Sequence, residues 1–296
     1  MAEQQRKILC IGEILWDALP SGLFLGGAPL NVCYHLNQLG ISVEMCSRVG
    51  GDRLGKEALR RIQRNDMSTA HIQTDGQSET GFVEVEVTSN GEPSYTIIEP
   101  VAWDFIEPSP SLKQAVRESW GIVFGSLAQR NEQSRDTIQN LWKYADKKIL
   151  DLNLRPPHID RTVIRDSLAA ADIIKMNEAE LEQIKKWFSL SGSSCQIVET
   201  LAEKFECSFI CITKGPAGAM LFEDGSWSDH RGYKTDAKDS VGAGDAFLAT
   251  MIYGVQCGKK GKELLKYANA AGSFVAQKSG ATPEYDIHSI EEIVMG

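Results

Sequence analysis

The feature that most restricts the fold is a series of short, continuous apolar runs. KILCIG, VEMCSRVG, GIVFG, KKILDLN, DIIKMN, FICIT and AMLF are rich in β-branched residues and do not alternate with polar ones, the pattern of strands buried on both faces. Helical patterns lie between several of them. After Gly26 and Gly27, Pro29 suits a first helical turn, Val32, Cys33, Leu36 and Leu39 share a face, and Gly40 supplies a stop. SRDTIQNLWKYA and AELEQIKKWFSL read likewise. Strand and helix in alternation predict an α/β fold of three layers, αβα, around a mostly parallel sheet. The 296 residues, 42% of them hydrophobic, suffice for one large domain spanning 1–296, and no linker, repeat or low-complexity tract marks a second.

One segment breaks the pattern. From Gly81 to Pro100, Val83, Val85 and Val87 alternate with Glu84 and Glu86, and Asn90-Gly91 stands between the arms. This is a hairpin with one wet and one dry face. Two placements are open: an antiparallel edge of the large sheet, or a small separate sheet whose dry face covers a cleft.

The formal net charge of -9 argues against nucleic-acid and membrane-surface partners, which favour basic patches. It does not exclude an anionic substrate, since backbone N–H groups can hold phosphate. Seven cysteines contain no CxxC pair, and Cys207 and Cys211 lie on an apolar run, as small buried thiols of a reducing compartment do. No stretch has the length of a signal peptide's apolar core or a membrane span. The expectation is a soluble cytoplasmic protein.

The chemistry concentrates in DSVGAGDAF, Asp239 to Phe247, followed by the apolar helical pattern AFLATMIYGV. A helix starting near Gly242 would offer unpaired N–H groups from Gly242, Ala243, Gly244 and Asp245, with small side chains that let an anion approach. A carboxylate beside a bound phosphoryl group would repel it unless the carboxylate faced an attacking hydroxyl, which is an arrangement for phosphoryl transfer. The plainer alternative is that Asp245 complements the helix dipole. The stretch is neither GxxxxGK[ST] nor GxGxxG, and CIGEIL after the first strand opens no dinucleotide-binding turn.

These residues resemble the ribokinase-like (PfkB) sugar kinases along the whole chain. DSVGAGDAF is similar to the family's C-terminal signature D-T-x-G-A-G-D-x-F, with Ser240 in place of threonine. GGAPLNV, Gly26 to Val32, resembles the N-terminal sugar-binding signature; NEAE, Asn177 to Glu180, matches N-x-x-E, and GGDRLG from Gly50 falls at a similar turn. The resemblance implies an ATP-dependent kinase with Asp245 as base and Gly242, Ala243 and Gly244 as the anion hole. It implies sugar hydroxyls on Asp17 and Asn31, beside Gly26 and Gly27. Thr213 and Gly215 would lie near the nucleotide's phosphates or ribose, and Asn269 at the adenine. It implies Mg²⁺ held through water by Asn177 and Glu180, and a monovalent cation such as K⁺ near Asp239, Val241 and Gly280. Residues 14–26 and 81–100 would form a β lid, through which some family members dimerise.

Within the family, GGAP before LN and DLNLRP (similar to D-x-N-x-R) are closest to fructokinases, with Arg155 near the substrate or the transferred phosphate. The segments 15–26 and 81–100 contain no Arg or Lys, and Glu99 stands where fructokinases often carry a basic residue. Both disfavour a phosphorylated acceptor and put fructose ahead of ribose, 2-keto-3-deoxygluconate and nucleosides. A non-catalytic sugar- or nucleotide-binding regulator on the same fold is the competing reading, weakened by the retention of Asp245 and the GAG run.

Overall fold

The computed structural model describes residues 6–19, 22–87 and 93–296. In chain order the strands are β1 (Ile8–Ile11), β2 (Leu15–Leu19), β3 (Gly22–Gly26), β4 (Val43–Gly50), β5 (Ser68–Asp75), β6 (Gly81–Val87), β7 (Pro93–Ile97), β8 (Gly121–Gly125), β9 (Lys147–Asp151), β10 (Ile173–Asn177), β11 (Phe209–Thr213), β12 (Ala219–Glu223) and β13 (Ser226–His230). The α-helices are α1 (Ala28–Gln38), α2 (Arg53–Arg64), α3 (Pro110–Glu118), α4 (Glu132–Leu141), α5 (Arg161–Ala170), α6 (Glu178–Trp187), α7 (Ser194–Lys204), α8 (Ala243–Gln256), α9 (Gly261–Ala276) and α10 (Ile287–Met295). None of the helices described is long and apolar enough to cross a membrane.

The apolar runs form one nine-stranded sheet, in the order β13-β12-β11-β10-β9-β8-β1-β4-β5. From β5 to β11 all pairings are parallel. The four residues of β1 are wholly buried, each aliphatic side chain contributing about 1.5–3 kcal/mol. AMLF forms β12, which runs antiparallel to β11, because the turn at Gly215–Ala217 is too short for a crossover. α1 is buried along nearly its whole length, Pro29 to Leu36, so its apolar face is wider than a surface helix needs.

The hairpin takes the second of its two placements. β6 pairs antiparallel with β7 and parallel with β2, and β3 completes a separate four-stranded sheet, β3-β2-β6-β7. The Asn90-Gly91 turn lies outside the described residues. Three ties fasten this sheet to the main body. The Trp16 indole donates to Leu54 O at 3.2 Å. Arg130, paired with Asp104, donates to Ile98 O at 2.7 Å. The Asp52 carboxylate, capping α2, accepts from Gly55 N at 2.7 Å and from Thr80 N, just before β6, at 2.7 Å.

Burial opposes ionisation of Asp52, but hydrogen bonds from Gly55, Thr80 and Leu54 outweigh it and hold the carboxyl below its ordinary value. Its stabilisation is therefore present above the unfolded aspartate pKa of about 3.9 and is lost as pH falls through the folded value. Asp52→Ala is expected to cost about 1–3 kcal/mol at neutral pH and less in acid. Chemical denaturation checks this; a neutral-pH loss under about 0.5 kcal/mol, the scatter of an ordinary surface change, contradicts it.

Candidate active site

The functional residues gather where the parallel strands end. α8 starts from Gly242, whose φ of 78° is left-handed and whose missing Cβ would sit 2.2 Å from Ala281 O. No other residue type fits this turn. The Ala281 segment is held in place by His35, which burial keeps neutral by pushing its pKa down to about 4. His35 donates from Nε2 to Ala281 O at 3.0 Å and accepts at Nδ1 from the Tyr285 hydroxyl at 3.1 Å. Of the four N–H groups expected to be free at the helix start, two are engaged: Ala243 N donates to Ser240 O at 3.3 Å and Asp245 N to Gly242 O at 3.1 Å. Those of Gly242 and Gly244 have no acceptor among the described residues.

Asp245 stands in the first turn of α8, half-buried. Asn31, from α1, donates its amide to Asp245 Oδ2 at 2.8 Å. Burial and then the Asp151 carboxylate push Asp245 up to about 6, against Lys175, Asn31 and Arg155, which favour its charged form. A carboxylate so poised can take a proton from a hydroxyl near neutral pH.

Asp17 of β2 lies against Gly26, where a Cβ would meet its Oδ2 at 2.8 Å. Burial raises the Asp17 pKa and the Arg155 charge lowers it. The Gly27 backbone caps α1. Asp17, Phe24 and Asn31 share a cleft of about 810 Å³ with Val241 and Gly280. The small sheet contributes no cation to this cleft, but Arg61 and Arg64 of α2 and Lys238 line its other walls. The loop after β9 carries Arg155, exposed, its guanidinium without a hydrogen-bonded partner among the described residues; its charge reaches Asp17, Asp245 and Glu13. Glu99 turns to His158, 3.4 Å from Nδ1, in a separate cavity of about 180 Å³.

Of the predicted residues that remain, Asp239 lines the large cleft and Asn177, Glu180, Thr213, Gly215 and Asn269 do not. Asn177 and Glu180 form a reciprocal cap on α6: Asn177 Oδ1 accepts from Glu180 N at 2.9 Å and Glu180 Oε2 from Asn177 N at 2.8 Å. Glu180 Oε1 also accepts from Leu154 N at 2.8 Å, which fixes the loop bearing Arg155. Glu180 is buried, which raises its pKa, so it is not a member of a solvated helix face. Thr213 ends β11 and Gly215 opens the turn beyond it. Asn269 is buried in α9, its amide donating to Leu265 O at 2.7 Å. Asp239 accepts from Val241 N at 3.0 Å and Gly280 N at 3.2 Å, drawing those segments together.

A family model described as pfkB family carbohydrate kinase matches residues 22–287. The chain belongs to this family. It is therefore an ATP-dependent sugar kinase, transferring phosphate to an alcohol. A fructokinase of Klebsiella pneumoniae is 30% identical, covering 84% of this chain and 84% of its own. The crystal structure of an uncharacterized sugar kinase, PH1459, from Pyrococcus horikoshii superposes with a TM-score of 0.81 at 25% identity, over 97% of this chain and 99% of that one. A double mutant of a fructokinase from Vibrio cholerae O395, in a form with fructose, ADP and potassium ion bound, has the same fold, with a TM-score of 0.84 at 20% identity over 99% and 100% of the two chains.

Glu13 and Lys175 are among the residues around this site that escaped the sequence reading. Glu13, just after β1, is 2% exposed, with Oε2 lacking a hydrogen-bond partner among the described residues. Burial pushes it up to about 7, although Arg155 and the Ala28 N–H favour its charge. Lys175 of β10 is buried against Asp151 of β9 at 2.9 Å. The available signal was a lone charged residue inside an apolar run, CIGEIL and DIIKMN, since such residues are rarely buried without a partner or a use.

The raised Asp245 sets a pH dependence. If Asp245 takes the hydroxyl proton it must be ionised to do so, and kcat is then expected to fall about tenfold per pH unit below about 6. Asn31→Ala removes a bond to the charged form and should move that limb to higher pH. A pH–rate profile checks both; a wild-type limb at or below about 4, the ordinary aspartate value, contradicts them.

Proposed function

We propose that this kinase transfers the γ-phosphate of ATP to a hydroxymethyl group of a free sugar, with fructose the leading acceptor. One observation carries the reading: the Asp245 carboxylate, pushed up to about 6, shares the start of α8 with the free N–H groups of Gly242 and Gly244. As the sugar oxygen bonds to phosphorus and the bond to ADP breaks, Asp245 takes the hydroxyl proton, and the N–H groups meet the charge on the transferring group. Asp17 and Asn31 suit sugar hydroxyls, one accepting and the other donating. The small sheet, residues 14–26 and 81–100, would act as a lid that keeps water from the phosphate. A regulator that only binds has no need of a base so poised.

Thr213, Gly215 and Asn269 would attend the nucleotide. The residues of N-x-x-E fit Mg²⁺ only through water, because both oxygens of Glu180 already accept backbone N–H groups. When bound, the metal neutralises phosphate charge. Asp239 holds Val241 and Gly280 as a K⁺ loop would require. Seven free cysteines fit a reducing cytoplasm. The exposed Leu23 and Phe24 of the edge strand β3 favour a lid-to-lid homodimer; sedimentation at the monomer mass would remove that part of the reading.

Arg64 and Lys238 on the cleft wall, with Arg155, favour a second reading in which the acceptor is a sugar acid such as 2-keto-3-deoxygluconate. A coupled assay across free hexoses, pentoses, nucleosides, sugar acids and fructose 6-phosphate separates the two. Fructose is expected to lead, with fructose 6-phosphate about a hundredfold poorer in kcat/KM, a gap of about 2.7 kcal/mol. Asp17→Ala should cut kcat/KM for the sugar and spare the KM for ATP. In the same assay Glu180→Gln should raise the Mg²⁺ requirement. Preference for the sugar acid establishes the second reading, and silence with every sugar leaves only the regulator.

A further inference from the structure

Behind the start of α8 lies a charge that the reaction above leaves unused. Lys175 occupies the middle of β10 and pairs in register with Asp151 on β9. Its ammonium donates to both Asp151 oxygens, at 2.9 and 3.0 Å. The third N–H has no acceptor among the described residues. A Cβ on Gly244 would stand 3.2 Å from Lys175 Nζ, with no other atom closer. The ammonium therefore rests directly against the second glycine of the GAG turn.

We propose that Lys175 is a positioning residue for phosphoryl transfer: its ammonium, pinned by Asp151, is the fixed positive charge behind Gly244 that lets the start of α8 hold a phosphoryl group beside the Asp245 carboxylate. This rests on the transfer chemistry read above, and it goes further in assigning the source of the charge. A buried ion pair is generally no more stabilising than an apolar pair of the same volume, so core packing gives no reason for one here. Two backbone N–H groups and a helix dipole are a modest counterweight to a phosphate and a carboxylate held together. An ammonium screened from water acts on both far more strongly than a surface lysine could.

The surrounding groups agree with this. Facing Lys175 are Asp151 from β9, Asp245 from α8, Glu180 from α6 and the Cys211 thiol of β11, which burial pushes up to about 12 and keeps neutral. Facing Asp245 are Lys175, Asp151, Arg155, the Asn31 amide and, from beyond β1, Glu13. Arg155 is exposed, so Lys175 is the one buried cation of the group.

The test uses Lys175→Met, Asp151→Asn and the double variant. Asp245 is titrated by carboxyl ¹³C NMR in the free protein, which needs no acceptor. Lys175→Met should raise the Asp245 midpoint by at least about half a pH unit, and Asp151→Asn should lower it. A purely structural pair would not move the midpoint in opposite directions. In turnover, Lys175→Met should lower kcat at least about tenfold while both KM values stay within about threefold. If that variant fails to fold, the double variant, which leaves no buried charge unpaired, carries the test: it should melt near the wild type and still turn over slowly. Wild-type kcat in the double variant, or an Asp245 midpoint that Lys175→Met leaves unmoved, overturns the proposal. Should the wild type phosphorylate no sugar, the acceptor reading fails and the titration alone decides the role of Lys175.

Discussion

A carboxylate and a phosphoryl group cannot share one helix terminus unless the charge between them is managed. In the proposed transfer Asp245 must remain close to the attacking hydroxyl, and the start of α8 must remain free to receive an anion. Much of the surrounding structure follows from that conflict. Burial and then Asp151 oppose ionisation of Asp245, Lys175, the Asn31 amide and the Arg155 charge favour it, and the balance leaves the carboxyl at about 6. Gly242 and Gly244 leave room where side chains would block the backbone of Ala281 and the ammonium of Lys175.

The fold makes this arrangement accessible. In a parallel sheet every strand ends on the same edge, and ligands bind beyond that edge. β1 leads there to Glu13, β9 to Asp151 and Arg155, β10 to Asn177 and β11 to Thr213. Glu180 shows how closely these strand ends are coupled: one carboxylate caps α6 and also holds the loop that carries Arg155. Asn31 and His35 share α1, so the helix that touches Asp245 also secures the segment on which Gly242 turns. The small sheet reaches the same cleft through Asp17 and Phe24.

The layers of the fold were legible because continuous apolar runs leave few alternatives. GIVFG and FICIT could only be strands buried on both faces. AMLF carried the same pattern, yet its direction depended on the length of the turn before it. The hairpin's alternation fixed its two faces but not its partner, because pairing with β2 is a contact distant in sequence. DSVGAGDAF was legible as chemistry since glycines and acids have few other reasons to stand at a buried helix. The pair Asp151 and Lys175 was not, because its meaning comes from the register of β9 on β10. The cations of the cleft were missed for a related reason: Arg61 and Arg64 belong to α2, far in sequence from the segments searched for charge.

The central claim is that Asp245 is the proton acceptor of the transfer. Rapid-quench single turnover of Asp245→Asn, with ATP and the preferred sugar saturating, isolates that step. The amide keeps the size of the side chain and removes its basicity. Transfer slowed at least about a thousandfold, with ATP bound as tightly as by the wild type, is the result this account predicts. A variant that transfers phosphate within about tenfold of the wild-type rate would contradict it.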